Sequence, residues 1–220
     1  MPTLMKAKPT GRTRPTRAQT CTRVLQAAGE VFAARGFDGA SIDEIAAAAG
    51  LTKGAVYSNF ASKDDLFFAV IEDRLVARLS ALSADIDGPS SPERFMSGVA
   101  ERLAEMLISE RAWNLLFIEF WARAVRDPRV REEWARHRRR ARKLVAESIE
   151  QHTRANGVEL PAPADELAVA VIALSNGIAM EHLADPASAD PKLFADALGL
   201  LLRSRTAEPT AASSTRTGER

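Results

Sequence analysis

The sequence is poor in the residues that build disulfide or metal-bound frameworks. Its one cysteine, Cys21, allows no disulfide within the chain and no cysteine-based metal cluster. Its three histidines, His137, His152 and His182, lack the spacing of metal ligands. No nucleophile with a base and no paired carboxylates stand out either. We therefore predict a protein without a metal, a cofactor or catalytic residues.

Long apolar runs are also missing. No uninterrupted stretch approaches the ~18–20 residues that span a bilayer, and the N-terminus lacks the apolar segment of a secretory signal. Apolar residues form 46% of the 220 positions and charged residues 27%, which argues against wholesale disorder. We predict a soluble, cytoplasmic protein with no membrane partner and with one large domain or two small ones.

An excess of either charge is absent from the chain as a whole, whose net charge is +1. A nearly neutral sum is unusual for a nucleic-acid-binding protein. The sum hides a division, however. Residues 1–63 hold nine bases and four acids, a net +5, whereas residues 64–220 hold 21 bases and 25 acids, a net −4. Such asymmetry predicts that the N-terminal segment has a separate, electrostatic task.

The periodicity of apolar residues is helical throughout, so we predict an all-α fold. We expect a flexible basic arm over 1–16, a small helical domain over 17–64, a larger helical domain over 65–205, and a disordered tail over 206–220. The nine predicted helices are 17–35, 42–49, 53–60, 62–84, 92–110, 112–126, 128–155, 164–184 and 191–204.

The second and third of these helices have the proportions of a helix-turn-helix. Ser41 and Glu44 form a capping box before one helix, Thr52 caps the other, and Gly50 permits the sharp turn between them. The i, i+4 pair Val56 and Phe60 is expected to face the core. The opposite face is then short and polar, as entry into the major groove requires.

Each residue of that outer face has a plausible contact with DNA. Gly54 permits close approach, Tyr57 and Lys63 can bind phosphates, and the helix N-terminus at Thr52 favours a phosphate. Lys53, Ser58 and Asn59 could reach base edges, and Ala55 a thymine methyl. The predicted DNA-binding residues are Ser41, Thr52, Lys53, Gly54, Ala55, Tyr57, Ser58, Asn59 and Lys63.

The same region resembles the DNA-binding domain of the TetR family. The resemblance covers about residues 17–68 and is carried by the runs VLQAAGEVFAARGF (24–37), SIDEIA (41–46), AGLTKGAVYSNF (49–60) and SKDDL (62–66). It implies about nine helices, a conserved DNA-binding domain, and a divergent C-terminal domain for effector binding and dimerisation. Tyr57 and Lys63 match the family's tyrosine and phosphate-contacting lysine. Asn59 departs from the histidine of many members, which leaves the base preference open.

The last two predicted helices have apolar residues around most of their circumference, as a dimer core requires. The resemblance likewise implies that they pair into a four-helix bundle; burial within one subunit is the alternative. Asn176-Gly177 is ordinarily a turn signal, but we favour close helix approach at Ala173 and Gly177. The predicted interface residues are Val171, Leu174, Ile178, Phe194, Leu198 and Leu201.

An aromatic stripe on the helix 112–126 predicts either an effector pocket or ordinary core. Glu119 and Glu181 are the acids expected to meet a polar or cationic group of a mostly apolar, amphipathic effector. The predicted pocket residues are Met96, Trp113, Phe117, Glu119, Phe120, Trp121, Trp134 and Met180.

Together these features predict a homodimeric regulator that binds double-stranded DNA at a palindromic operator. The resemblance implies that it is a repressor and that a small-molecule effector releases it from DNA. Two alternatives stay open. The chain could be an adaptor that keeps the fold but binds protein. The basic run 136–143 could bind RNA or a membrane surface, although nearby glutamates favour a solvated helix face.

Overall fold

The computed structural model describes residues 16–84, 92–187 and 189–202, and all regular structure within them is α-helical. The all-α prediction is therefore confirmed. The nine helices in these ranges are α1 (Arg17–Gly39), α2 (Ile42–Ala48), α3 (Lys53–Tyr57), α4 (Lys63–Ala84), α5 (Pro92–Ser109), α6 (Arg111–Arg126), α7 (Pro128–Ala155), α8 (Ala164–Ala184) and α9 (Pro191–Leu202).

Five of the predicted helices begin at capping side chains, among which Ser41 and Thr52 were named from the sequence. Each accepts a hydrogen bond from a backbone amide in the first turn, at 2.8–3.3 Å, which satisfies a donor that the helix leaves unpaired. These caps are Ser41, Thr52, Ser62, Asp127 and Asp190. Thr16 forms a further capping box with Gln19, so it belongs to α1 and not to the predicted arm.

Within the described ranges, two helix ends differ from the prediction by more than one residue. Gly36 has a φ of +74°, as a helix stop requires, but a further short turn follows it and carries α1 to Gly39. The helix α3 ends at Tyr57 and not at Phe60. There Ser58 Oγ and Asn59 Nδ2 both donate to the carbonyl of Ala55, at 2.8 Å each, and such side-chain bonds compete with continued helix.

The chain divides into two compact units, Met1–Asp73 and Arg74–Arg220. The N-terminal unit is built around three mutually packed rings, Phe32, Phe37 and Phe67, whose centroids lie 5.2–5.8 Å apart. Because Phe67 and its neighbours on α4 are buried in this core, the unit extends past residue 64, where the sequence placed the boundary. The first turns of α4 are therefore part of the N-terminal unit.

The C-terminal unit is a helical bundle in which α5 packs mainly on α9, and α7 on α8 and α6. One buried cluster joins α5, α8 and α9 around two fully buried side chains, Phe194 and Leu198. By length and composition alone, α8 would also suffice for a membrane span: its most apolar window has a mean hydropathy of 1.6, and 22% of that window is buried within the chain. The prediction of no membrane partner stays a prediction.

Several predicted features lie outside the described residues. These are the basic arm as far as residue 15, the tail 206–220, residues 203–205 at the predicted end of the last helix, and the side chain of Met96.

Candidate functional site

The turn between α2 and α3 is held by a glycine and an arginine. Gly50 has a φ of +62°, which an L side chain rarely adopts, and an added Cβ would lie 3.0 Å from the Arg23 guanidinium. Arg23 Nη2 donates to the Ala49 carbonyl at 2.5 Å and so satisfies an acceptor at the end of α2. Behind the turn, Ile45 and Val56 are fully buried. The helix-turn-helix is thus rigidly packed on α1.

The outer face of α3 is polar and accessible. Lys53, Gly54, Tyr57 and Ser58 are all exposed, and Tyr57 keeps 48% of its surface. Ala55 is half-buried. The predicted inner and outer faces of this helix are therefore as the i, i+4 pattern indicated.

Lys53, at the first position of α3, has a partner on α2. Its Nζ lies 2.9 Å from Asp43 Oδ2, and both side chains are more than half exposed. The hydrogen bond to Asp43, reinforced by its charge, raises the pKa of Lys53 above its ordinary value. Lys53 thus remains a cation at neutral pH, but one with a carboxylate beside it.

Asn59 is half-buried, and its side chain caps the C-terminal end of α3. Its Nδ2 donates to the Ala55 carbonyl, while its Oδ1 accepts from Arg17 Nε at 3.3 Å. Arg17 therefore links the start of α1 to the end of the recognition helix. Its role was absent from the sequence prediction, because the two residues are 42 positions apart.

The remaining predicted DNA contacts already have partners inside the unit. Lys63 Nζ donates to the Asp38 carbonyl at 3.3 Å and lies 4.6 Å from the centroid of the Phe37 ring. The Ser41 hydroxyl donates to Glu44 and accepts from the Glu44 amide. A phosphate would have to compete with these bonds, and it would do so most easily at Lys63, which is a flexible cation.

The predicted pocket residues lie in three different environments. Phe117 and Phe120 pack on Trp134, with centroids 5.4 and 5.3 Å away, and the Arg138 guanidinium covers the Trp134 ring at 5.9 Å. Burial, with a smaller effect of Arg142, lowers the pKa of Arg138. Phe120 has no accessible surface and packs as a core residue, and its assignment to an effector pocket stays a prediction.

Trp113 belongs to a separate cluster that sequence reasoning missed. The Arg74 guanidinium lies 3.9 Å from the centroid of the Trp113 ring, and its Nη2 lies 2.7 Å from Glu110 Oε1. Arg78 also pairs with Glu110. Burial, and then the charge of Arg74, lower the pKa of Arg78 to about 10. The sequence signal that could have revealed this cluster is the pair Arg74 and Arg78, at i, i+4 on α4. Like charges at this spacing repel each other unless a counter-ion lies beside them.

The other predicted pocket residues that the structure describes differ in their exposure. Trp121 and Met180 are exposed, whereas Glu119 is half-buried. A groove of about 360 Å³ runs along the last turns of α7. It is lined by Glu147, Glu150, Gln151, Arg154 and Ala155, all outside the predicted set.

The predicted dimer residues divide in the same way. Phe194 and Leu198 are buried by α5 and α8 of their own chain, and their contact with a partner stays a prediction. Val171 belongs to the same buried cluster, and Leu174, Ile178 and Leu201 are half-buried around it. The large apolar side chains that these two helices expose are others: Val169, Met180, Leu193 and Leu200.

Comparison with known proteins agrees with this geometry. Residues 24–70 match the model of bacterial regulatory proteins of the tetR family, and residues 91–205 match that of the BetI-type transcriptional repressor C-terminal domain. The transcriptional repressor AcnR of Corynebacterium diphtheriae is 24% identical over 146 residues, which cover 66% of this chain and 70% of that protein.

Solved structures share the fold. A TetR-family transcriptional regulator from Rhodococcus sp. superposes with a TM-score of 0.66 at 20% identity, covering 84% of this chain and all of that one. The regulator FadR from Bacillus subtilis, solved in complex with stearoyl-CoA, gives 0.58 at 13% identity, covering 82% of this chain and 96% of that one. With both of its units matched, the chain belongs to the TetR family of bacterial DNA-binding transcriptional regulators.

Proposed function

We propose that this regulator is a cytoplasmic homodimeric repressor, which binds a palindromic operator and is released by a small amphipathic effector. The observation that carries the proposal is the exposed polar face of α3, displayed by a rigid turn in the segment of net charge +5. A two-fold dimer places two such helices in successive major grooves when they are about 34–36 Å apart.

Dimerisation through α8 and α9 is supported by apolar surface that the chain leaves uncovered. On α8, Val169, Ala173, Gly177 and Met180 are all exposed and recur at helical spacing, so they form one stripe, which we call the α8 stripe. An added Cβ at Gly177 would meet nothing within 4 Å. Packing among the described residues therefore gives no reason for a glycine there, whereas close approach of a second copy does.

The contact with DNA can be tested at Lys63. Lys63→Ala should weaken binding to all duplexes alike and reduce the slope of log Kobs against log salt by about 0.9 for each subunit bound. Lys143, an exposed lysine on α7, supplies the matched control: Lys143→Ala should change neither the affinity nor the salt slope. Fluorescence anisotropy on operator and random duplexes measures both quantities. An unchanged slope would remove Lys63 from the phosphate contacts.

The path from effector to DNA is proposed to run through α4. This helix begins in the N-terminal unit and carries Arg74 and Arg78 in its C-terminal half. Both bind Glu110, the residue that precedes α6. A shift of α6 around a bound effector would therefore pull on α4 through three charged groups. Coupling of ~2–3 kcal/mol between the two sites would suffice for a switch.

Tryptophan fluorescence tests the effector step. Trp113 lies under Arg74, so a ligand that moves this cluster should change the Trp113 emission in step with release of labelled DNA. Variants that retain only Trp113 or only Trp121 separate the cluster from the exposed surface of α6. DNA release with constant Trp113 emission would place the coupling elsewhere.

A further inference from the structure

The DNA-binding unit carries a negative charge where a DNA-binding surface would be expected to avoid one. Asp43 is in the first turn of α2, and its side chain is 68% exposed. The neighbouring acid, Glu44, is committed to the capping box with Ser41. The Asp43 carboxylate has no part in that box and instead holds the ammonium of Lys53 at 2.9 Å.

Lys53 is the residue of the recognition helix best able to grip any phosphate. An ammonium on a four-carbon stem is a mobile point charge and makes few demands on geometry. Contacts of this kind bind every sequence equally and raise non-specific affinity. A carboxylate within hydrogen-bonding distance neutralises that attraction until a better-placed acceptor replaces it.

We infer that Asp43 is a specificity-determining residue, which positions Lys53 and withholds its charge from phosphates at non-operator sequences. At the operator, a correctly placed base edge or phosphate exchanges with Asp43. On random-sequence DNA, no favourable contact compensates for breaking the Asp43–Lys53 pair, and the Asp43 carboxylate repels the phosphate backbone. The inference rests on DNA binding by the family and does not require an effector or a dimer.

The chain supplies a closely matched control. Lys192 and Asp196 form another exposed lysine–aspartate pair, at 2.5 Å, on α9 of the C-terminal unit. There too, the aspartate's hydrogen bond and charge raise the lysine pKa. Asp43→Asn and Asp196→Asn change the net charge of the whole protein equally, so a difference between them reports the position of the charge and not its amount.

The experiment measures binding to a random-sequence duplex by fluorescence anisotropy across a salt series. For Asp43→Asn we expect the salt slope to steepen by about 0.9 for each recognition helix on the DNA, which at 0.1 M salt is about eightfold tighter binding per helix. Selectivity for an operator recovered by selection from random DNA should fall by the same factor. Asp196→Asn should match the wild type, and Asp43→Glu should restore its slope.

A second variant separates positioning from simple repulsion. If Asp43 acts through Lys53, the steepening should vanish when Asp43→Asn is combined with Lys53→Gln. An equal slope for Asp43→Asn and wild type overturns the inference, as does steepening that survives in the double variant. Failure of the wild-type protein to bind any duplex would instead refute DNA binding itself. Circular dichroism and thermal melting of each variant check that the fold is unchanged.

Discussion

Substitutions at Gly177 should stabilise the isolated subunit when they are small and weaken the dimer when they are large. Gly177 lies in the interior of α8, where glycine costs about 1 kcal/mol relative to alanine. Because an added Cβ meets nothing within 4 Å, Gly177→Ala should stabilise an isolated subunit by about that amount. For a chain of this size the shift in melting temperature is about 2–4 °C.

A larger side chain at the same position should break the dimer. If two α8 stripes pack closely, Gly177→Leu introduces overpacking of about 1–3 kcal/mol at each of two symmetric positions. The expected loss is therefore about 2–6 kcal/mol, or a factor of at least about 30 in the dimer dissociation constant. Gly98→Leu, on α5, is the control, since an added Cβ there is equally unobstructed.

Light scattering coupled to size-exclusion chromatography at low micromolar concentration distinguishes the outcomes. Wild type and Gly98→Leu should be dimers, and Gly177→Leu should be a folded monomer with weakened operator binding. Gly177→Leu that dimerises as tightly as wild type would refute a close α8 contact. A wild-type protein that is monomeric under these conditions would refute the dimer altogether.

Two further predictions concern stability and can be measured by thermal and urea unfolding. Glu110→Gln leaves two arginines, each about one-third exposed, without their shared carboxylate, and should cost about 1–3 kcal/mol; Glu133→Gln, which removes only a more exposed partner, should cost under about 0.5 kcal/mol. Equal costs would mean that the Glu110 cluster is only a surface pair. Phe32→Ala removes a fully buried ring from the aromatic core and should cost about 3–5 kcal/mol and abolish DNA binding; retention of the wild-type melting curve would contradict the described core.

Local features of this fold could be predicted from the sequence because they depend on neighbours in the chain. Caps such as Ser41 and Asp127 act within three residues, and apolar periodicity marks the inner face of α3. The end of α3 was missed because the side chains of Ser58 and Asn59 both donate to the Ala55 carbonyl. The periodicity of apolar residues does not reveal such side-chain bonds, which compete with continued helix.

The sequence pattern is ambiguous where it fits two kinds of burial. Apolar residues around α8 and α9 indicate that both helices are covered, but the pattern does not say whether the cover comes from the same chain. The structure buries Phe194 under α5, whereas Leu200 on the same helix stays exposed. The aromatic stripe of α6 has the same ambiguity, since Phe120 is core and Trp121 is surface.

The net charge of residues 1–63 is a poor guide to DNA binding, because a basic side chain contributes to binding only where it can contact a phosphate. Arg23 is engaged with a helix end, and Arg17 lies against Asn59. Lys53 has Asp43 beside it, and Lys63 already donates to a carbonyl. The salt slope of the protein should therefore be shallower than the nine bases of residues 1–63 would give if all met phosphates. On this view, the protein distinguishes the operator from random DNA because the operator can replace intramolecular bonds that random DNA cannot replace.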